Sequence, residues 1–281
     1  MFTTAVWLVL ASGLVHATWN LFAKTSINKV AFLWFCQWVA ILIFLPFTTR
    51  ELATMGHPIP SIGLALLLVS VLLHGGYVIL LAQTYALADL SQAYPIMRGT
   101  SPLLVPLAGV LILGEHLSLV AWMGVGSIVI GIFLVGGFRL RGVSNLSNRA
   151  VVLALAVGLM ITGYTVFDKI VLQYIPPFVL NEATNVGNLL ALSAISLRLG
   201  PMLEEWRMNW KTIILGGIMA PGGYILFLKA LQIMPVAQIA PMREIGTFFG
   251  TLLGVFVLRE PQGKKRIGAS LLIVLGVFLL S

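Results

Sequence analysis

The sequence predicts an all-α polytopic membrane protein in which ten transmembrane helices form two inverted five-helix repeats. Three observations carry that expectation. Of 281 residues 59% are hydrophobic and 9% charged, against about 45–50% and about 25% in a soluble domain. The apolar residues fall into runs long enough to cross a bilayer, and the second half of the chain repeats the first at a fixed offset.

A membrane helix needs about 20 largely apolar residues. Such runs lie near 3–22, 29–48, 61–84, 91–113, 118–137, 149–171, 177–199, 211–233, 236–258 and 264–281. No basic residue precedes the first run, and it ends in Ala17-Thr18-Trp19-Asn20, so it reads as a span and not as a cleaved leader. The most polar connections are 139–148 and 200–209, and neither is long enough for a soluble domain. Residues 1–281 therefore read as a single transmembrane domain.

Lys and Arg number 17 against 9 Asp and Glu, a net charge of +8. These cations sit between apolar runs and form no nucleic-acid-binding patch. Twelve lie in odd-numbered connections, whereas only Arg50 and Lys169 lie in even ones. That bias predicts cytoplasmic odd connections and both termini outside. The single cysteine, Cys36, excludes an intrachain disulfide, a two-cysteine redox pair and a thiolate zinc cluster. No cofactor is expected.

An offset of 145 residues aligns Trp19, Asn20, Phe22 and Lys24 with Tyr164, Thr165, Phe167 and Lys169. The same offset aligns Met97-Arg98 with Met242-Arg243, Glu115 with Glu260, and Ile128-Val129 with Ile273-Val274. Gly75-Gly76-Tyr77 repeats as Gly222-Gly223-Tyr224 at an offset of 147. The repeats run over about 3–137 and 148–281. Five spans per half is an odd number, so the halves must be inverted relative to each other. Inverted repeats are the architecture of carriers that hold cargo near the midplane and rock one half against the other.

In these features the sequence resembles the drug/metabolite transporter superfamily, in its ten-span EamA branch. The resemblance rests on the duplicated five-span unit and on Leu113-Gly114-Glu115 and Leu258-Arg259-Glu260 at the ends of spans 4 and 9. His16-Ala17-Thr18-Trp19-Asn20 and the chain length are also similar to a subgroup of permeases associated with phosphonate utilisation. The resemblance implies a carrier of small organic metabolites with a central cavity lined by spans 1–4 and 6–9, and with spans 5 and 10 peripheral. It also implies cytoplasmic termini, opposite to the charge bias.

Ionisable groups inside spans cost about 2.5–3.5 kcal/mol each on insertion scales and normally face a cavity or a partner. Five lie well inside: Arg98, Glu182, Lys229, Arg243 and Glu244. Arg98 and Arg243 are repeat equivalents, each about 10 Å into its span at 1.5 Å per residue. Two guanidinium groups facing one cavity would clamp a phosphate, phosphonate or carboxylate; alternatively they pair with Glu244 or Glu182 and lock the fold. Resemblance to organophosphate carriers of the wider superfamily, which use basic residues on later spans, implies the first role.

Lys229 is a third cation, and Glu182 belongs to a polar face with Asn181, Asn185 and Asn188. Glu182 reads as a receiver for a cargo ammonium or a coupling proton, or as an arginine partner. Ser12, His16 and Asn20 form a stripe on span 1; Ser70, His74 and Tyr77 form one on span 3. Imidazole can change charge near neutral pH, so both histidines are candidates for proton coupling, or are satisfied interhelical donors. Trp19, Tyr77, Tyr94 and Tyr224 are candidate cavity walls. Gly246, Gly250 and Gly254 form a small-residue face for close helix packing, and Pro95, Pro102, Pro106, Pro221 and Pro241 are expected to interrupt spans 4, 8 and 9.

The functional expectation is a carrier in the plasma membrane, the inner membrane of a bacterium, moving a small anionic or zwitterionic metabolite by alternating access. Its partners are that small-molecule substrate, the lipid bilayer, and a coupling proton or counter-substrate, as a monomer or homodimer. An amino-acid or drug exporter with structural arginines is the alternative. An enzyme is not expected, because no metal-ligand pair, phosphate loop or nucleophile triad is present.

Overall fold

The computed structural model describes residues 2–87, 90–137, 148–195, 199–257, 259 and 263–281, with side chains except at 24, 85–87, 90–95 and 199–201. The helices are α1 (Phe2–Thr25), α2 (Lys29–Thr54), α3 (Ser61–Leu87), α4 (Leu90–Leu113), α5 (Leu119–Val135) and α6 (Asn148–Val171). They continue with α7 (Pro177–Ile195), α8 (Leu199–Ile233), α9 (Val236–Met242), α10 (Ile245–Phe256) and α11 (Gly263–Leu280). Each expected span has its helix, span 9 being divided into α9 and α10. Among the described residues six stretches, in α1–α4, α6 and α8, are long and apolar enough to cross a membrane by those criteria alone. α5 is apolar but only 17 residues long, and α11 opens on Lys264-Lys265-Arg266. Large apolar side chains such as Leu111, Leu119, Phe256 and Phe278 point outward, as a lipid-facing belt requires.

Two expectations need correction. The polar stretch 200–209 is helical, forming the first part of α8 up to a kink at Asn209 (φ −122°, ψ 15°). It is amphipathic: Met202 and Glu205 are buried while Leu203, Trp206 and Met208 are exposed. The proline expectation holds only in span 9. α4 runs unbroken through Pro102 and Pro106, and α8 through Pro221. After Pro241 the backbone tightens at Arg243 and Glu244, whose N–H groups donate to Ala240 O and Pro241 O at 3.2 and 3.0 Å, three residues back.

Packing follows the repeat. The pair α1 and α8 is mirrored by α6 and α3, the pair α2 and α8 by α7 and α3, and the pair α1 and α10 by α6 and α4. Exchanging the halves thus maps the packing onto itself. Three pairs are their own images: α2 with α7, α4 with α9, and α5 with α11. In the last, Ser127 Oγ donates to Leu272 O at 2.7 Å, between residues 145 apart in sequence. Small residues make the crossings possible. A Cβ on Gly13 would lie 3.0 Å from Gly246 N, and one on Gly158 would lie 3.3 Å from Met97 O. Gly13 and Gly158 are repeat equivalents. Gly246 therefore serves packing within the chain.

Helix ends are tied across the molecule. Glu115 accepts from Val236 N (2.8 Å) and Ala237 N (2.7 Å), satisfying amides that open α9. Glu51 does the same for Phe178 N at the start of α7 (3.0 Å), and Glu205 accepts from Asn28 N, the cap of α2 (2.6 Å). At the opposite pole Lys169 donates to Leu231 O and Met234 O at the end of α8. Glu260, the counterpart of Glu115, lies outside the described residues.

Gly276→Ala tests the α5–α11 crossing, because its Cβ would stand 2.5 Å from Gly124 O. We expect a loss of about 1–3 kcal/mol in detergent unfolding. Gly126→Ala, where a Cβ meets nothing within 4 Å, should be neutral or stabilising by about 0.5–1 kcal/mol.

Candidate functional site

The inverted packing brings α1, α4, α6, α8, α9 and the α9–α10 break around a narrow central pocket. Arg98 and Arg243 both line it, together with His16, Tyr164, Phe227 and Glu244. Arg98 projects from the unbroken α4, whereas Arg243 sits at the interruption between α9 and α10. The arginine pair expected from the repeat is therefore assembled in one cavity, with Glu244 beside it.

The hydrogen-bonding groups here are unevenly matched. His16 meets Trp19 Nε1 at Nδ1 (3.2 Å) and Arg98 Nη2 at Nε2 (2.8 Å). Indole and guanidinium nitrogens only donate, and a neutral imidazole has one accepting nitrogen. At most one of the two contacts is a hydrogen bond. Arg243 lies over the rings of Phe227 (4.5 Å) and Tyr224 (5.2 Å), and its buried Nε has no hydrogen-bond partner among the described residues. The anionic group in the pocket lining is Glu244, whose Oε1 is 3.7 Å from Arg98 Nη1 and whose Oε2 accepts from Thr247 Oγ1 at 3.2 Å. Among the described residues the lining thus sets two guanidinium groups and one carboxylate around the same space.

Behind Tyr164 and Tyr224 lies a cluster that sequence reasoning missed. Asp168, 0% exposed, accepts from Ser70 Oγ and Tyr224 OH and lies 3.1 Å from His74 Nε2. Tyr164 stacks on the His74 ring at 4.0 Å, and Tyr77 meets Tyr164 edge-on at 5.8 Å. Asp168 stands three residues before the end of α6, next to Lys169, and so reads as part of a helix-end pair. Its signal lay across the chain: Ser70, His74 and Tyr224 were all visible as polar residues on apolar spans, and three donors aimed inward require an acceptor.

Other candidates stand apart. Lys229 is not in the pocket; it is exposed, with Nζ 5.3 Å from the centre of the Phe178 ring. The charge inventory expected for the cavity therefore loses one cation. Asn20 is exposed and donates to His16 O on its own helix at 2.8 Å. Glu182 and Asn185 do not line the pocket. With Asn181 and the half-buried Asn188 they form a polar inward face of α7, where both Glu182 oxygens, Asn181 Nδ2, Asn185 Nδ2 and Asn188 Oδ1 lack hydrogen-bond partners among the described residues. Gln37 Oε1, on α2 packed against α7, is in the same condition. Interior groups of this kind are met by water or a ligand. Tyr94 lies outside the described side chains.

Comparison with known proteins gives two consecutive matches to the EamA-like transporter family, at residues 3–137 and 148–281. No curated protein matches the sequence. A crystal structure titled only as that of a protein aligns over 99% of this chain and 96% of its own, with a TM-score of 0.77 and 17% identity. At that identity the likeness concerns the fold.

Removing the Asp168 carboxylate strands the buried hydroxyls of Ser70 and Tyr224 and the His74 N–H. Asp168→Ala is expected to lower stability in detergent by about 1–3 kcal/mol, whereas Asn20→Ala should change it by less than about 0.5 kcal/mol.

Proposed function

Because the chain belongs to the EamA-like transporter family, and is accordingly an integral membrane protein, we propose that it carries a small anionic or zwitterionic metabolite by alternating access. Phosphonates, phosphate esters and carboxylates are the candidate classes, and the plasma membrane, with both termini outside, is the proposed setting. The observation that carries this reading is the convergence of Arg98 and Arg243, one from each half, on a single pocket. An acceptor-rich group entering the pocket would take hydrogen bonds from both guanidinium forks. It would also let His16 use its second nitrogen as a donor, relieving the contest between Trp19 and Arg98 at the ring. A lipophilic cation would add positive charge to two arginines and would find one carboxylate, already engaged by Thr247. A zwitterion remains compatible, with its ammonium directed at Glu244.

Support for alternating access comes from the inequality of the halves. Span 4 is one continuous helix, whereas the equivalent span 9 is broken at the residue matching Arg98. In an inverted repeat, exchanging the conformations of the halves generates the opposite access state. The break at Arg243 would then heal as one forms at Arg98, and the pocket would change the side to which it opens. Substrate would favour whichever arrangement lets both guanidinium groups reach it.

The test is the thermal stability of detergent-purified protein against phosphonates, phosphate esters, dicarboxylates, amino acids and organic cations. A ligand at about 100 times its dissociation constant should add about 2.7 kcal/mol. Phosphonates, phosphate esters or carboxylates are expected to stabilise the native protein, and Arg98→Gln and Arg243→Gln to lose the response while remaining folded. A response confined to neutral amino acids or cations, or one unchanged in both variants, would make the arginines structural and favour an exporter of those compounds.

A further inference from the structure

We propose that Asp168 and His74 form a proton-binding site that couples proton movement to anion carriage. The inference rests on the preceding reading of Arg243 as an anion-binding group, and it assigns the coupling ion. A buried carboxylate and imidazole 3.1 Å apart are expensive inside a bilayer, and helices α3, α6 and α8 could be joined by apolar contacts at lower cost. What the pair adds is a buried site that can take up and release a proton beside the pocket. With Asp168 ionised, a protonated His74 makes the pair neutral, and loss of that proton leaves one negative charge.

That charge is placed to matter to cargo. Tyr224 joins the two sites: its hydroxyl donates to Asp168, and its ring lies under the guanidinium of Arg243. Tyr164 belongs to both as well, stacking on His74 and lining the pocket. The charged and titratable groups around the pair are Tyr164 and Lys169 on its own helix, Tyr77 on α3, Arg98 on α4, Tyr224 on α8 and Arg243 at the α9–α10 break. Of these, Lys169 is engaged by Leu231 O and Met234 O. When the pair is negative it attracts Arg243 and competes with an incoming anion; when it is neutral, the guanidinium is released to bind one. Proton and anion therefore bind together. By linkage, the anion raises the proton affinity of the pair by the same factor that the proton raises the anion's affinity.

The pair joins the two halves and has no counterpart under the repeat. Ala23 stands at the position equivalent to Asp168, and Pro221 at that of His74. Exchange of the two halves' conformations therefore changes the surroundings of the pair without an opposite change elsewhere, which lets protonation favour one access state.

Two arms test this separately from the identity of the cargo. In the first, proteoliposomes adsorbed on a supported membrane receive pH jumps between about 6 and 8 with no cargo present. The native protein should give a transient charge displacement, and Asp168→Asn and His74→Gln should abolish it. His74→Gln keeps a donor toward Asp168 but cannot titrate, so it decides the matter if Asp168→Asn does not fold. In the second arm dimethyl phosphate, whose charge unlike that of methylphosphonate is fixed over this range, is the probe anion titrated against thermal stability at both pH values. Binding should be about fivefold or more tighter at the lower pH in the native protein, and equal at both pH values in His74→Gln. No displacement in the native protein, displacement surviving in both variants, or pH-dependent anion binding retained in His74→Gln would overturn the proposal. If dimethyl phosphate and the other anions bind at neither pH, the anion reading fails, and with it the coupling, whatever the first arm shows.

Discussion

A bilayer interior offers no water to a polar group, and this single constraint organises the molecule. Each helix end must find its partners within the chain, and the ties at the ends of α2, α7, α8 and α9 are made by charged side chains reaching across the structure. Glu51, Glu115, Glu205 and Lys169 each put a full charge against the terminal dipole of another helix. These bonds also fix sidedness. The ends of α2 and α6 meet the start of α7 and the end of α8, and the connection after α4 meets the start of α9, so the even connections share one face. Against these tied helix ends, the two arginines of the pocket and the polar face of α7 stand out as charged and polar groups held in the interior.

The second organising element is a two-fold relation that is close in packing and loose in chemistry. The pairs formed by α1, α3, α6 and α8 exchange under it, and glycines at equivalent places permit equivalent crossings. The chemistry departs from it in a consistent direction. The second half holds Asp168, the helix break at Arg243 and Glu244; the first holds His16, Trp19 and His74, aligned with Ile161, Tyr164 and Pro221. The halves thus share a scaffold and divide the polar residues, so a group from one half often meets its partner from the other. His74 with Asp168 and Arg98 with Glu244 are both contacts between halves.

Much of this was legible in the residues. Apolar runs gave the spans, and the offset of Arg98 and Arg243 placed both in one cavity because equivalent residues of an inverted repeat approach a common axis. The errors have a common origin. Lys229 and Asp168 were judged by depth along a single helix, which says nothing about the direction faced. Lys229 points outward past Phe178, and Asp168, nearer its helix end, points inward to three donors. The helical start of α8 was hidden by its charge: Glu204, Glu205 and Arg207 read as a loop, but Met202 and Glu205 turn inward while the rest face outward, an amphipathic pattern of one short stretch. Prolines in α4 and α8 were overweighted, since a helix packed on several neighbours tolerates the lost bond, and of these spans only span 9 is interrupted after its proline.

The contact between Ser127 and Leu272 carries a different kind of information, because each residue there faces its own counterpart. If a five-helix ancestor paired with an inverted copy of itself, every position on that seam met an identical residue and had to be compatible with its own twin. Joining the two copies in one chain removed that requirement. A hydroxyl could then arise on one side and bond to the backbone on the other, and an acid could enter one half without appearing in both. Fusion of this kind is what makes directional chemistry available to a shape that began symmetric.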